Sequence, residues 1–485
     1  MFWRFLLLTF GLFLIILCGP AVAESKRPNV LLIIADDLRT DLGCYGSVAK
    51  TPHIDALTRR GVLFERAYCQ QALCNPSRSS FLTGQRPDKF GLWSNGVHFR
   101  DLAPKVVTLP ELFKANGYVT RDVGKIFHNW HTVVKGDPQS WSAPEFLHYE
   151  NHANDKPLFF LPTDIPPKNH SVAPKSTRMD VPDNAFFDGR VAEEAIRVLH
   201  EVKDKPFFLA VGFWKPHAPF NAPKKYWDLY DRASLPKLDA RRPRNGPEIA
   251  RHDGRELLGF DDTRIELSAA DAAEWRHGYL ANTSYMDAQV GKVLAALAAS
   301  GAAANTLVVF MSDHGYHLGE HDLWAKTSCY EYDARVPLII VPPGSKTGAK
   351  AQGLVELVDL YPTIADLCNL KSTQRVDGVS LRPMLADPAA TVKQAAFTQH
   401  PRPAYYDRTP SKTPTAMGYS VRTNQVRYTE WRDWQSGEVI ARELYEHGSD
   451  PQELVNSIDS STQAAALRFA TAALQEQFPP GKRAQ

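Results

Sequence analysis

The sequence predicts an α/β protein: a three-layer sandwich in which helices cover both faces of a large, mostly parallel central sheet. Apolar runs of strand length at residues 30–35, 207–213 and 307–311 predict buried strands. Helical patterns separate these runs, and strands that alternate with helices are typical of parallel sheets. Each run leads directly into charged residues, and ligands of such sheets bind beyond the carboxyl ends of the strands.

The helical patterns cover residues 53–60, 190–202 and 269–300. A fourth apolar run, at residues 338–341, predicts another strand. Ser268 and Asp271 resemble a capping box at the start of the longest helix, and Gly301 ends it. The stretches 141–183 and 234–263 are rich in proline, asparagine and charge. They predict long surface excursions of the kind that shape a substrate mouth.

The length of the chain predicts two domains. Its 485 residues exceed the roughly 250–300 residues at which a single core stops growing. After Pro383 the pattern changes to a proline-rich loop followed by short strand-like runs at 419–422 and 426–431. We therefore expect a large domain over residues 28–389 and a smaller α+β subdomain over residues 390–485.

The charge balance excludes two classes of partner. Basic residues number 56 and acidic residues 54, so the formal net charge is +2, in a chain of ordinary globular composition. Nucleic acid or an anionic membrane surface is therefore not expected as the main partner. An anionic substrate would need a local cluster of basic side chains.

The first 23 residues resemble a signal peptide. Arg4 precedes an apolar run at residues 5–17, and Ala21-Val22-Ala23 has the small-x-small form of a cleavage site. The run is shorter than the ~20 residues that span a bilayer, so an uncleaved anchor is the weaker alternative, and no stable membrane span is expected after cleavage. Lipid attachment at Cys18 stays open. The expected location is secreted, periplasmic or a lysosome-like compartment.

Removal of the signal peptide leaves an odd number of cysteines: Cys44, Cys69, Cys74, Cys329 and Cys368. An odd cysteine in an exported protein is either a reactive thiol or one of several buried, inert ones. The surroundings of Cys74 favour reactivity. Pro76 suits the first turn of a helix, so Cys74 would lie just before a helix N-terminus, where amide donors favour negative charge. Arg78 follows about one turn later and so lies near the same face.

Three carboxylates predict a metal site. Asp36, Asp37 and Asp313 each follow a buried strand directly. Because parallel strands bring their carboxyl ends to one edge, we expect these side chains to lie close together. A set of carboxylates suits a hard cation such as calcium or magnesium better than zinc.

Four basic side chains complete the candidate site: Lys125, His128, His217 and Lys326. Any one of them alone fits a surface lysine or a satisfied buried histidine. As a set they match positions of a known protein family, which the next motif identifies.

The string Cys74-Asn75-Pro76-Ser77-Arg78, followed by Leu82-Thr83-Gly84, resembles the signature of the type I sulfatases. The resemblance implies an alkaline-phosphatase-like fold and hydrolysis of sulfate esters. It also implies that a formylglycine-generating or other maturing enzyme oxidises Cys74 to formylglycine, whose hydrate attacks sulfur.

The same resemblance assigns the remaining residues. It implies one calcium ion bound by the formylglycine and by Asp36, Asp37, Asp313 and His314. His314 stands where many sulfatases have asparagine, and imidazole is an unusual calcium ligand. Lys125 and Lys326 would hold the sulfate oxygens, with Arg78 helping to neutralise their charge; His128 would support the hydrate, and His217 would protonate the leaving oxygen.

Longer segments resemble the iduronate-2-sulfatase branch of the family: residues 34–39, 42–46, 70–72, 212–217, 284–287, 318–321, 417–423 and 443–445. This implies a sulfated saccharide substrate, either a glycosaminoglycan or another sulfated polysaccharide attacked from its end. Tyr316-His317 replaces a Trp-Ala pair of that branch, and Thr327 replaces a tyrosine. We expect these three residues to alter the rim of the sugar pocket.

Two alternatives stay open. One is a phosphoester or phosphonate monoester hydrolase of the same superfamily, whose members often carry a threonine or serine nucleophile or bind two metals. The other is a non-catalytic relic that binds sulfated glycans. It predicts the loss of at least one of Cys74, Arg78, Lys125 and Lys326, and the sequence has all four.

Overall fold

The computed structural model describes residues 27–128, 132–146, 176–252, 254–258 and 266–481. The predicted signal peptide lies outside the described residues, as do 147–175, 253 and 259–263 of the two predicted excursions. Among the described residues, no helix combines the length and the apolar character needed to cross a membrane.

The described strands are, in chain order, β1 (Asn29–Asp36), β2 (Val62–Tyr68), β3 (Val119–Gly124), β4 (Ser176–Met179), β5 (Phe207–Pro216), β6 (Phe220–Pro223), β7 (Thr306–Ser312), β8 (His317–Leu318), β9 (Trp324–Ala325), β10 (Arg335–Val341), β11 (Ala349–Glu356), β12 (Ala396–Arg402), β13 (Ala416–Arg422), β14 (Val426–Asp433) and β15 (Val439–Glu446). The central sheet has the order β11-β2-β10-β7-β1-β5-β3. Its pairs are parallel except those of β10, which runs antiparallel to both neighbours. The predicted mostly parallel sheet is confirmed.

The described α-helices are α1 (Pro52–Leu57), α2 (Cys74–Thr83), α3 (Pro87–Phe90), α4 (Phe99–Leu102), α5 (Leu109–Ala115), α6 (Phe187–Val202), α7 (Lys224–Trp227), α8 (Arg255–Leu258), α9 (Ala269–Ala299), α10 (Glu331–Ala334), α11 (Leu360–Leu367), α12 (Arg382–Ala386) and α13 (Ala464–Gln477). The predicted longest helix ends one residue early, and the hydroxyl of Ser268 accepts a hydrogen bond from the amide of Asp271. The helix predicted at residues 53–60 is shorter than expected and ends at Leu57.

The strand β1 shows why the sheet is covered on both faces. Its side chains alternate between two apolar cores, because successive residues of a strand point to opposite faces. Leu32 and Ile34 pack in the core that contains Phe81 of α2, whereas Leu31 and Ile33 pack with α6 and α9. Both faces are therefore buried under helices, as the three-layer prediction requires.

A second, antiparallel sheet follows the first in the chain, with the order β12-β13-β14-β15. The two predicted strand runs, at 419–422 and 426–431, lie within β13 and β14. Helix α13 packs on this sheet through Ala470 and Leu474. The domain boundary at residues 389 and 390 stays a prediction.

Buried ion pairs link the two sheets near the end of β11. Arg86 donates to both carboxylate oxygens of Glu356 at 2.8 Å, and Lys393 donates to Glu356 Oε2 at 2.8 Å. The amide of Phe397, in β12, donates to the same carboxylate at 2.9 Å. Glu356 therefore fixes the second sheet against the first.

Candidate active site

The carboxyl ends of β1 and β7 bring the predicted carboxylates together. Ala35 pairs with Ser312 in the parallel register, so Asp36 and Asp37 emerge beside Asp313. Asp37 has a left-handed backbone (φ 65°), which an aspartate tolerates better than most residues. Its amide donates to Asp313 Oδ1 at 3.2 Å. All three carboxylates are fully buried.

Helix α2 brings the cysteine motif to this edge. Cys74 is its first residue, whereas the sequence predicted a position just before the helix. Ser77 donates its hydroxyl hydrogen to the carbonyl of Asp313 at 2.5 Å and so joins the first turn to the end of β7. The helix ends at Thr83, and the next residue, Gly84, has a left-handed backbone (φ 70°) that suits glycine.

The guanidinium of Arg78 is a fully buried link between the parts of the site. Its Nε donates to Asp313 Oδ2 and its Nη2 to Asp36 Oδ1, each at 2.9 Å. Its Nη1 donates to the carbonyls of Lys125 and Ile126 at 2.6 and 3.0 Å. Because these donors are engaged by the protein, Arg78 acts on the site by fixing two carboxylates and the backbone that carries Lys125.

The sulfur of Cys74 lies where these elements meet. It is 3.4 Å from His314 Nε2, 3.5 Å from Lys125 Nζ and 3.7 Å from Asp36 Oδ1. Burial, reinforced by the charge of Asp36, raises the pKa of this thiol well above its ordinary value. The unmodified cysteine is therefore a protonated thiol and a poor nucleophile. The position suits chemistry that does not depend on a thiolate.

The donor set around Cys74 can hold a cation, and its carboxylates suit a hard cation, whereas its sulfur and imidazole donors suit softer metals. Asp36, Cys74, Asp313 and His314 each offer a ligand atom, and these atoms lie within 4.8 Å of one another. His314 Nδ1 faces the carbonyl of Gly315 at 3.0 Å and therefore carries the proton. Its Nε2 lone pair then faces the cluster. Asp36 and Asp313 are the carboxylates of this group, and Asp37 Oδ1 lies 3.5 Å from His314 Nε2, so three carboxylates can offer the oxygen ligands that calcium prefers.

Two lysines pair with the first two aspartates. Lys125 Nζ donates to Asp36 Oδ2 at 2.6 Å, and Lys326 Nζ donates to both oxygens of Asp37 at 2.8 and 3.1 Å. Burial opposes ionisation of Asp36, but Lys125 and Arg78 outweigh it and hold its pKa well below the usual range. For Asp37 burial prevails over the nearby cations and raises the pKa.

The two predicted histidines of the basic set have different surroundings. His217 directly follows β5, and its Nε2 lies 3.1 Å from Glu256 Oε1 and 3.8 Å from Asp37 Oδ2. His128 is buried three residues after Lys125, in the segment whose carbonyls Arg78 holds. The structure thus brings His217 to the carboxylates, and the role of His128 stays a prediction.

Glu256 and Tyr405 are residues of the site that the sequence did not predict. Glu256 Oε1 accepts a hydrogen bond from Lys326 at 2.6 Å, and Tyr405 donates to Glu256 Oε2. Burial opposes ionisation of Glu256, but Lys326 and His217 hold its pKa well below the usual range. Each lies in a polar or proline-rich stretch far from its partners in the chain, where no local pattern marks it.

The expectation for the pocket rim is wrong, because Tyr316, His317 and Thr327 are all buried. Tyr316 stacks on the ring of Tyr279, whose hydroxyl donates to the carbonyl of Asp37 at 2.8 Å. His317 Nδ1 lies 2.6 Å from an oxygen of Asp333. These side chains support the site from within rather than lining an open rim.

Comparison with known proteins agrees with this geometry. The family model described as "Sulfatase" matches residues 28–370, and the model described as "N-sulphoglucosamine sulphohydrolase, C-terminal" matches residues 319–478. The iduronate 2-sulfatase of Mus musculus is 34% identical over 548 residues, covering 95% of this chain and 96% of the relative. That of Homo sapiens is 34% identical, covering 94% and 96%.

Among solved structures, the phosphonate monoester hydrolase SpPMH from Silicibacter pomeroyi matches with a TM-score of 0.76 at 25% identity. The match covers 94% of this chain and 96% of that one. The predicted fold class and the predicted resemblance to iduronate-2-sulfatase are both confirmed. The chain belongs to the sulfatase family and is a sulfuric ester hydrolase.

Proposed function

We propose that this protein is an exported, calcium-dependent sulfatase that hydrolyses sulfate esters of carbohydrates with a formylglycine made from Cys74. The observation that carries the proposal is the position of Cys74, at the start of α2 and in contact range of Asp36, Lys125 and His314. Mass spectrometry of the Cys74 peptide from active protein tests it. An aldehyde in place of the thiol is expected, and an unmodified cysteine would contradict the proposal.

Asp36, Asp37, Asp313, His314 and the residue at position 74 would hold the calcium ion. When bound, the ion supplies positive charge that polarises the sulfate oxygens. The formylglycine hydrate would supply a hydroxyl nucleophile in place of the thiol, whose pKa burial raises above its ordinary value.

The remaining side chains have roles that follow from their positions. Lys125 and Lys326 bind sulfate oxygens and neutralise the charge that grows on them as the ester bond breaks. His217 donates a proton from Nε2 to the leaving sugar oxygen. His128 supports the nucleophile. Arg78 holds Asp36 and Asp313 in place through its two 2.9 Å hydrogen bonds.

The proposed substrate is a terminal 2-O-sulfated uronic acid, or a closely related sulfated sugar at a chain end. Its support is the identity of 34% to two proteins named iduronate 2-sulfatase, over nearly the whole of both chains. Comparison of kcat/KM for 2-O-sulfated uronate disaccharides, 6-O-sulfated hexosamines and sulfated fucose or galactose tests it. A preference for the uronate below about tenfold, or ~1.4 kcal/mol, would reject the substrate but not the sulfatase.

A second candidate activity is hydrolysis of phosphonate monoesters. It is favoured by the likeness to SpPMH, with a TM-score of 0.76. The two activities are distinguished by measuring kcat/KM for an aryl sulfate and for an aryl phosphonate monoester with the same leaving group. The sulfatase proposal requires the larger kcat/KM for the sulfate.

Two partners follow from the proposal: a formylglycine-generating or other maturing enzyme, and the export machinery that removes residues 1–23. Amino-terminal sequencing of the protein recovered from the exported fraction tests the second. A mature terminus shortly after Ala23 is expected, whereas an intact Met1 in a cytoplasmic fraction would contradict export.

A further inference from the structure

Among the described residues, Glu256 is the most exposed carboxylate that contacts the proposed sulfate-binding groups. Its side chain is 19% exposed, whereas those of Asp36, Asp37 and Asp313 are 0% exposed. It belongs to the short helix α8, outside the strand ends that carry the other carboxylates. Glu256 is therefore more accessible to solvent, and so to a substrate, than the three aspartates.

The contacts of Glu256 place it beside the bond to be broken. Its Oε1 lies 2.6 Å from Lys326 Nζ and 3.1 Å from His217 Nε2, the donors proposed for a sulfate oxygen and the leaving oxygen. A leaving oxygen that accepts a hydrogen bond from His217 lies within about 6 Å of Glu256 Oε1, because each hydrogen bond spans about 3 Å. The carbon next to the sulfated carbon is two covalent bonds from the leaving oxygen, so a donor group on it can come within hydrogen-bonding distance of Glu256.

The hydrogen-bonding capacity of Glu256 is not exhausted by the protein. An ionised carboxylate has about four lone-pair positions. Lys326 and His217 face Oε1, and Tyr405 donates to Oε2. One acceptor position on Oε2 remains for a donor from a bound sugar. A carboxylate in this place attracts hydroxyl and ammonium groups and repels a second anionic substituent.

We propose that Glu256 determines specificity by accepting a hydrogen bond from a hydroxyl or ammonium group on the carbon adjacent to the sulfated one. This inference rests on the proposed sulfatase function. It predicts that a sugar with a free vicinal donor is preferred over one in which the donor is absent or sulfated. A carboxylate that only positions His217 and Lys326 would show no such preference.

The test uses three substrates that differ at one position: a 2-O-sulfated uronate glycoside with a free 3-hydroxyl, its 3-deoxy analogue and its 3-O-sulfated analogue. The wild-type enzyme is expected to prefer the free hydroxyl by at least about tenfold in kcat/KM over either analogue. Glu256→Gln should reduce that preference to about threefold or less. The matched control is Glu248→Gln, an 85% exposed glutamate of the same stretch, which should keep the wild-type preference.

Each outcome has one meaning. Equal rates on the three substrates in the wild type overturn the inference, and this comparison does not depend on the variant folding. A Glu256→Gln enzyme that slows equally on all three shows a positioning residue and also overturns it. Absence of sulfate release from every sulfated saccharide in the wild type contradicts the proposed function instead.

Discussion

Arg78 and Asp313 form an ion pair with 0% exposure on either side, in which Nε donates to Oδ2 at 2.9 Å. Removal of one partner leaves the other as an uncompensated buried charge, which costs about 3–5 kcal/mol. Arg78→Ala should therefore lower the free energy of unfolding by that amount, measured in urea. Arg468→Ala, at an exposed arginine of α13, should change it by less than about 0.5 kcal/mol. A loss of activity in Arg78→Ala without any loss of stability would contradict the structural role.

The metal site predicts a stability effect that does not depend on turnover. A cation that binds only the folded state raises the melting temperature as its concentration rises. Calcium should raise the Tm of the wild-type protein after treatment with a chelator. Asp313→Asn should abolish this dependence, and chelation should lower sulfate release at least about a hundredfold. A larger Tm shift with zinc than with calcium would contradict the assignment.

Lys326 is predicted to act on the charge of the transition state. Lys326→Ala should lower kcat by about 10²–10³-fold, as removal of a preorganised donor does in other enzymes. Lys346→Ala changes an exposed lysine and should leave kcat unchanged. An increase in KM with an unchanged kcat would instead show that Lys326 contributes equally to binding substrate and transition state.

The lowered pKa of Glu356, which links the two sheets, predicts that the free energy of unfolding depends on pH in acid. Burial opposes its ionisation, but Arg86 and Lys393 lower its pKa to about 2 from an ordinary value of 4.5. Because the pKa of Glu356 is lower in the folded state, its ionised form contributes its full stabilisation above pH 4.5. This contribution is lost as the pH falls toward 2. Glu356→Gln should be less stable than wild type at pH 7. The difference in unfolding free energy should shrink between pH 5 and about pH 3. A constant difference across that range would contradict the assigned pKa.

The sequence predicted those parts of the site that local pattern determines. Asp36 and Asp313 follow buried apolar runs, and the parallel pairing of β1 with β7 brings them together. The proline of the motif from Cys74 to Arg78 predicts that a helix starts there. The antiparallel direction of β10 could not be predicted, because an apolar run carries no information about strand direction.

Long-range contacts account for the remaining differences. Glu256 meets Lys326 across 70 residues of chain, and neither a period nor a motif connects them. His317 was expected at the pocket rim because it stands in place of an alanine that the family resemblance puts beside the pocket. Its buried position depends on Asp333, sixteen residues later, which accepts the hydrogen bond that burial requires.

The central claim, that Cys74 supplies the nucleophile, is tested most directly by sulfate release from Cys74→Ala. The side chain is buried at the start of α2, and alanine suits that helix, so the urea midpoint should stay close to that of the wild type. Sulfate release should fall to the background rate, because the surrounding residues offer no substitute for the nucleophile. Turnover near the wild-type rate in the folded variant would contradict the account.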